Sequence, residues 1–256
     1  MLDAVLLFAA GVLGGTLNSI AGGGSFITFP ALLLVGVPPI SANATNTFAS
    51  CSGYLSGALA FREDLRVHRA RLPGFVLLGI AGGATGAWLL LQTPDALFRE
   101  AIPWLLLFAM LLFVYGGRLN RTFSALASRH RHASRIGSLL LGLFLFAVCT
   151  YGGFFNAGLG IIILSYLALA GFSDIHAMNG IKLLVSSAVS LIAIALFVVD
   201  GAIAWFEGSV VLVGALVGGY SAAHYSRKLP EAAVRAFVIL AGTATTAYFF
   251  AETYPI

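Results

Sequence analysis

Residues 3–37, DAVLLFAAGVLGGTLNSIAGGGSFITFPALLLVGV, decide what kind of fold this chain adopts. Two apolar runs, 3–20 and 25–37, flank the cluster Gly22-Gly23-Gly24-Ser25, and the whole stretch carries a single charge, Asp3. A bilayer crossing needs about 20 residues, so the first run is long enough to cross, whereas the second suits a re-entrant or broken helix. No basic region precedes the first run, which therefore reads as a membrane segment and not as a signal peptide. In water, Gly-Gly-Gly-Ser would be an ordinary loop. Between two apolar runs it puts non-helical backbone at membrane depth, where such backbone persists only if buried in protein or lining a wet cavity.

The rest of the chain extends this reading. Of 256 residues, 59% are apolar and 9% charged, with a mean hydropathy of +0.97; a soluble domain carries about 25% charged residues. Further apolar runs lie at 42–61, 73–92, 101–117, 137–153, 158–171, 177–199, 208–225 and 234–250, and of these only 158–171 is short. Eight long segments and two short ones leave room for connecting loops but for no extramembrane domain, so an all-α polytopic membrane protein is expected. Cys51 and Cys149 both fall inside apolar stretches, which argues against a disulfide framework or a zinc site. The formal charge of +4 does not call for a nucleic-acid partner, because membrane proteins gather basic loops on one side.

The segments repeat. Shifting the chain by 136 positions brings Gly22 and Gly24 onto Gly158 and Gly160, Asn43 onto Asn179, Ser50 onto Ser186, Phe61 onto Phe197, Gly82-Gly83 onto Gly218-Gly219, Pro94 onto Pro230 and Arg99 onto Arg235. Upstream, Gly15-x-x-Asn18 matches Gly153-x-x-Asn156 after a gap of two. One register held this long marks a tandem duplication. Residues 1–117 form a first membrane repeat, 118–136 a basic linker and 137–256 a second repeat, each repeat having four long segments and one short one.

The basic residues orient the halves. Twelve of the fourteen Lys and Arg lie in three clusters: Arg62 to Arg71, Arg118 to Arg135, and Arg227, Lys228 and Arg235. Placing all three in the cytoplasm makes segment 42–61 end inside. Its repeat mate 177–199 then ends outside, beside Asp200 and Glu207. The halves are thus expected to be inverted, with both termini outside, an arrangement common in transporters whose binding site lies near the midplane between repeats.

The chemistry is expected at the broken segments. A helix that restarts inside the membrane presents unpaired N–H groups and the positive end of its dipole, which together attract anions. Both glycine clusters are preceded by an Asn, Asn18 or Asn156. In segment 42–61, Asn43, Asn46, Ser50, Gly53 and Gly57 share one helical face, and Asn179, Lys182, Ser186 and Ala193 occupy the equivalent face of 177–199. Along this stripe the strong asymmetry is Asn46 against Lys182. A lysine inside a membrane segment marks a functional site by default, snorkelling to the interface being the alternative. No Asp or Glu lies comparably deep. His176 reads as interfacial, and Tyr54 and Tyr151 as packing residues. HExxH, CxxC, GKS/T and nucleophile-elbow patterns are all missing, so neither an enzyme nor a cofactor or metal site is expected.

These motifs resemble a known family. Gly14-Gly15-Thr16-Leu17-Asn18-Ser19-Ile20-Ala21-Gly22-Gly23-Gly24-Ser25-Phe26, then Pro30, Gly36-Val37-Pro38-Pro39 and Ala42-Asn43-Ala44-Thr45-Asn46, is similar to the N-terminal signature of the TauE/SafE sulfite exporter family. Gly153-Phe154-Phe155-Asn156-Ala157-Gly158-Leu159-Gly160 is similar to its second, looser motif. Ile181 stands where the family frequently has Thr before the second-half Lys, so a contact from that Thr does not carry over. The resemblance implies a bacterial inner-membrane permease, often an exporter, for sulfite, organosulfonates or related anions. With the stripe, it nominates Asn18, Gly22, Gly23, Gly24, Ser25, Thr45, Asn46, Asn156, Gly158, Gly160 and Lys182 as substrate-binding, with a small anion and membrane lipid as partners and a homodimer as one open option. A cation or metal permease is the main alternative, disfavoured by Lys182 and the lack of deep carboxylates; an anion channel is the other.

Overall fold

The computed structural model describes residues 1–20, 23–129, 135–225 and 231–254. Eleven helices make up the described chain: α1 Leu2–Ile20, α2 Ser25–Leu34, α3 Pro39–Ala60, α4 Arg62–Val67, α5 Leu72–Gln92, α6 Asp95–Arg129, α7 Arg135–Phe154, α8 Leu159–Leu169, α9 Ile175–Asp200, α10 Trp205–Tyr225 and α11 Glu231–Thr253. Each of the ten expected segments coincides with one helix, the short runs being α2 and α8. Four helices are long and apolar enough over their described residues to cross a membrane: α5, α6, α9 and α11. The 22-residue α3 is less apolar because Asn43, Thr45, Asn46, Thr47 and Ser50 are buried along it.

Two features differ from the sequence reading. Residues 62–67 form a short amphipathic helix, with Leu65 buried against Gly180 and Glu63 paired on the surface with Arg66 at 2.7 Å. Helix α6 runs well beyond 117 and takes in most of the stretch read as linker. The helix continues there because the polar sequence still supplies an inward-facing apolar residue, Phe123, which packs against the core around Leu145, Tyr166 and Ile181. Residues 130–134 of that stretch lie outside the described residues.

Local signals explain the helix ends. Gly36 and Gly171, at φ +87° and +85°, follow α2 and α8 in the left-handed conformation that closes a helix without a Cβ clash. Asp174 caps α9 by accepting the N–H of His176 at 3.0 Å.

The halves do not sit side by side. The most extensive helix pairings join one half to the other: α1 with α10, α5 with α7, α5 with α9, and α3 with α9. Because α1 and α7 are repeat mates, as are α10 and α5, the first two pairings are one interface made twice. In both, glycines allow backbone contact: Gly11 of α1 lies on Val211 of α10 and Gly218 of α10 on Val12 of α1, and Gly82 and Gly86 bring α5 onto Phe146 and Thr150 of α7. Lipid tails are as apolar as the side chains they would replace, so close small-residue packing of this kind, not exclusion from water, holds membrane helices together.

The contacts also fix helix directions. Gly11 meets Val211 and Val12 meets Gly218, so α1 and α10 run parallel; Gly82 meets Phe146 and Gly86 meets Phe154, so α5 and α7 do too. Gly57 meets Leu183 while Phe61 meets Gly180, so the repeat mates α3 and α9 are antiparallel. The mates α6 and α11 are likewise antiparallel: Trp104 stacks edge-on against Phe250 at 5.0 Å, and Arg235 reaches the carbonyls of Phe113 and Val114. Following these directions through the chain brings the end of α3, α4, the end of α6 and the start of α11 to one end of the bundle. Arg62, Arg66, Arg69, Arg71, Arg118, Arg121 and Arg235 therefore gather there, and the start of α1 and the end of α11 lie at the other end.

Candidate functional site

Each short helix folds back on the long helix before it. Gly24 lies on Gly14, where a Cβ would come 2.2 Å from the Gly14 carbonyl oxygen, and Thr28 packs against Gly14 as well. At the second break, Leu159 packs on Gly152. Gly23 (φ +91°) and Gly158 (φ +81°) make the two reversals, with Gly23 against Phe113 and Gly158 against Ala109. Those α6 positions are about one helical turn apart, so both breaks meet the same level of the bundle. Gly22 lies outside the described residues.

At the first break the polar groups satisfy one another. The Asn18 side-chain oxygen accepts the Gly24 N–H at 2.9 Å, taking up one donor at the start of α2. Asn46, 1% exposed, donates to Ser25 Oγ at 3.2 Å and accepts from the Thr28 hydroxyl, which ties α3 to α2. Asn43 donates to the Phe154 carbonyl at 2.9 Å, at the end of α7. Thr45 points elsewhere: its hydroxyl accepts the Ala204 N–H at 3.0 Å at the start of α10, and its methyl faces Gly208. The structure therefore brings Asn18, Gly24, Ser25 and Asn46 together and leaves Thr45 apart.

The second break is built differently. Asn156, 2% exposed, accepts from the Tyr54 hydroxyl at 2.7 Å and donates to Ser190 Oγ at 3.2 Å. The Tyr151 hydroxyl donates to the Ala157 carbonyl at 2.7 Å. Both tyrosines thus hold the break by hydrogen bonds, beyond the packing role their sequence context suggested. Tyr54 and Ser190 were legible as one pair, since the offset of 136 maps one onto the other. Among the described residues no side chain caps the start of α8. Instead the Lys182 stem lies over its first turn, where a Cβ on Gly160 would meet the lysine Cδ at 3.2 Å. The Lys182 ammonium donates to Asn179 Oδ1 at 3.0 Å, one turn back toward the start of α9. Among the described residues no carboxylate pairs with it, the ion pairs being those of Glu63 with Arg62 and Arg66. Lys182 does not meet Asn18, Ser25 or Asn46.

Chemically the two ends are unequal. The first is cross-linked by its own amides and hydroxyls; the second combines a helix start with no side-chain cap, whose Leu159 and Ile161 N–H groups bond the Asn156 and Gly158 carbonyls, with a half-buried cation and a neutral acceptor. Anions are the species that such a combination attracts. No group of three or more His, Cys, Asp or Glu suited to a metal ion occurs among the described residues, and His176 sits exposed beside Phe61.

Comparison with known proteins bears on the same question. Residues 7–249 match the model of the family described as sulfite exporter TauE/SafE. A "Probable membrane transporter protein" of Haemophilus influenzae is 31% identical over 94% of this chain and 92% of its own length. "Probable membrane transporter protein ORF9" of Sinorhizobium sp is 27% identical over 98% of this chain and 94% of its own, and "Probable membrane transporter protein YfcA" of Escherichia coli K12 is 25% identical over 97% and 90%. No solved structure matches the chain.

Proposed function

Because the chain belongs to the sulfite exporter TauE/SafE family of membrane transporters, we propose that it moves a small sulfur-containing oxyanion, sulfite or an organosulfonate, out across the bacterial inner membrane. The observation that carries this reading is Lys182: its stem lies on the first turn of α8, and its ammonium is held only by a neutral amide oxygen. An anion there would exchange hydration for the lysine, the α8 N–H groups and the donors around Asn156. Asn18, Ser25, Thr28 and Asn46 brace the opposite break and give the first half a rigid counterpart to move against. A cation permease is disfavoured by the same lysine.

Transport would proceed by alternating access about the level where the breaks meet, the moving units being the two equivalent packings of α1 with α10 and of α5 with α7, each built from both halves. Support for inversion comes from the antiparallel packing of the mates α3 with α9 and α6 with α11, together with the gathering of the basic residues at one end. With that end in the cytoplasm, both termini face outward. Single cysteines placed at Glu63 and at Asp200 are then expected to react with a membrane-impermeant maleimide from opposite sides in oriented vesicles, over a low background because Cys51 and Cys149 are buried. Labelling of both from the same side would refute inversion. The substrate class itself is tested by flux of sulfite into proteoliposomes.

A further inference from the structure

Ser50, Tyr54, Ser186 and Ser190 lie on the facing sides of α3 and α9. The contacts of Gly57 with Leu183 and of Phe61 with Gly180 fix an antiparallel register; one and two turns farther along, that register sets Tyr54 opposite Ser186 and Ser50 opposite Ser190. Asn156 joins the two helices there, bonded to Tyr54 on one side and to Ser190 on the other.

This cluster holds hydroxyl protons that no acceptor among the described residues takes up. Thr47 and Ser187, on the same helices, return their hydroxyl protons to their own backbone, at the Asn43 and Leu183 carbonyls. Ser50 and Ser186, 8% and 1% exposed, make no such bond among the described residues. Nor are they sealed in, for the one fully enclosed and unpartnered side-chain polar atom among the described residues is Asn120 Oδ1. Their hydroxyls are therefore each touched by a water-sized opening, and a Cβ on Gly53, exposed one turn along α3, would meet nothing within 4 Å. The Tyr54–Asn156–Ser190 chain adds a further donor. Whichever way the Asn156 amide is turned, its oxygen faces one hydroxyl and its nitrogen the other, and the hydroxyl facing the nitrogen keeps its own proton unshared. A hydroxyl proton that faces no acceptor is available to an acceptor-only ligand.

We infer that the α3–α9 crossing is an uncharged oxyanion subsite, in which Ser50, Tyr54, Asn156, Ser186 and Ser190 grip the oxygen atoms of the transported anion. The inference rests on the proposed anion transport and deepens it. Lys182, Ser186 and Ser190 follow one another at four-residue intervals on one face of α9, about 6 Å apart along its axis. Charge attracts the anion at Lys182, and the hydroxyls receive it one turn farther into the bundle. Since these donors answer to several oxygens at once, the subsite favours sulfite over a single-atom anion such as chloride.

The test is titration of sulfite and of chloride against purified full-length protein in detergent, comparing wild type, Ser50→Ala/Ser186→Ala, Tyr54→Phe and Lys182→Ala, with thermal unfolding as the check on folding. The double variant and Tyr54→Phe should each bind sulfite at least tenfold more weakly, and the ratio of sulfite to chloride affinity should fall by a similar factor. A merely structural role would lower both affinities together and leave that ratio unmoved, which overturns the subsite. Wild-type sulfite affinity in both variants, with binding lost in Lys182→Ala, overturns the subsite and leaves the transport reading standing. Absence of sulfite binding by the wild type overturns both.

Discussion

Lys182→Ala is expected to abolish sulfite flux while the protein still inserts and folds. Among the described residues the lysine makes one hydrogen bond, to Asn179 on its own helix, and no ion pair, so removing it strands no partner charge there. What disappears is the cation facing the start of α8. A hydrogen bond to a charged group contributes about 1.5–3 kcal/mol, and flux should fall by about one to two orders of magnitude if the anion meets the ammonium directly. Lys182→Asn is the sharper variant because it installs the residue of the first half, Asn46. It keeps hydrogen-bonding capacity on α9 while removing the charge and the stem that covers Gly160. Flux near the wild-type level in either variant would remove Lys182 from the site.

The second large effect is on folding. Gly218→Val should yield little monodisperse protein, because a Cβ there would stand 1.9 Å from the Val12 carbonyl oxygen, a backbone atom with no rotamer to yield. Overpacking costs about 1–3 kcal/mol where neighbours can adjust; here α1 and α10 must separate along their whole length. The repeat mate Gly82, where a Cβ would stand 2.6 Å from Cys149 Cβ and 2.8 Å from the Phe146 carbonyl oxygen, should respond the same way on α5. Gly142→Ala is the control, since nothing lies within 4 Å of its Cβ position. Equal yield and equal unfolding temperature for Gly218→Val and Gly142→Ala would mean that the interleaved packing of the halves is wrong.

Much of this architecture is legible in the chain because membrane segments have few options. A run of about 20 apolar residues can satisfy its backbone only as a helix, and a glycine cluster followed by a run too short to cross points to a break, close small-residue packing being the alternative that Gly82-Gly83 takes inside α5. The offset of 136 residues then pairs α1 with α7 and α3 with α9. The interleaving was not legible, because it depends on which glycine faces which backbone across the bundle. Helix α4 was hidden by its charges, and the extension of α6 by the polarity of residues that follow Gly117.

The candidate site was half legible. Composition and spacing single out both Asn residues, both breaks and Lys182, but not their partners. Thr45 shares a motif with Asn46 yet sits about 100° around the helix from it, which turns it to α10 while Asn46 faces α2. Likewise nothing in the spacing shows that the Asn18 oxygen accepts from Gly24 while its mate Asn156 is shared between Tyr54 and Ser190. Those differences make the two breaks chemically unequal, and they leave the charge of Lys182 at the second.

Reconstituted into proteoliposomes, the protein should take up labelled sulfite with saturation, faster when unlabelled sulfite is present inside and more slowly when an organosulfonate competes outside, with no uptake of divalent cations. Uptake of a divalent cation without sulfite flux, or sulfite flux that neither saturates nor responds to sulfite on the far side, would contradict an anion carrier working by alternating access.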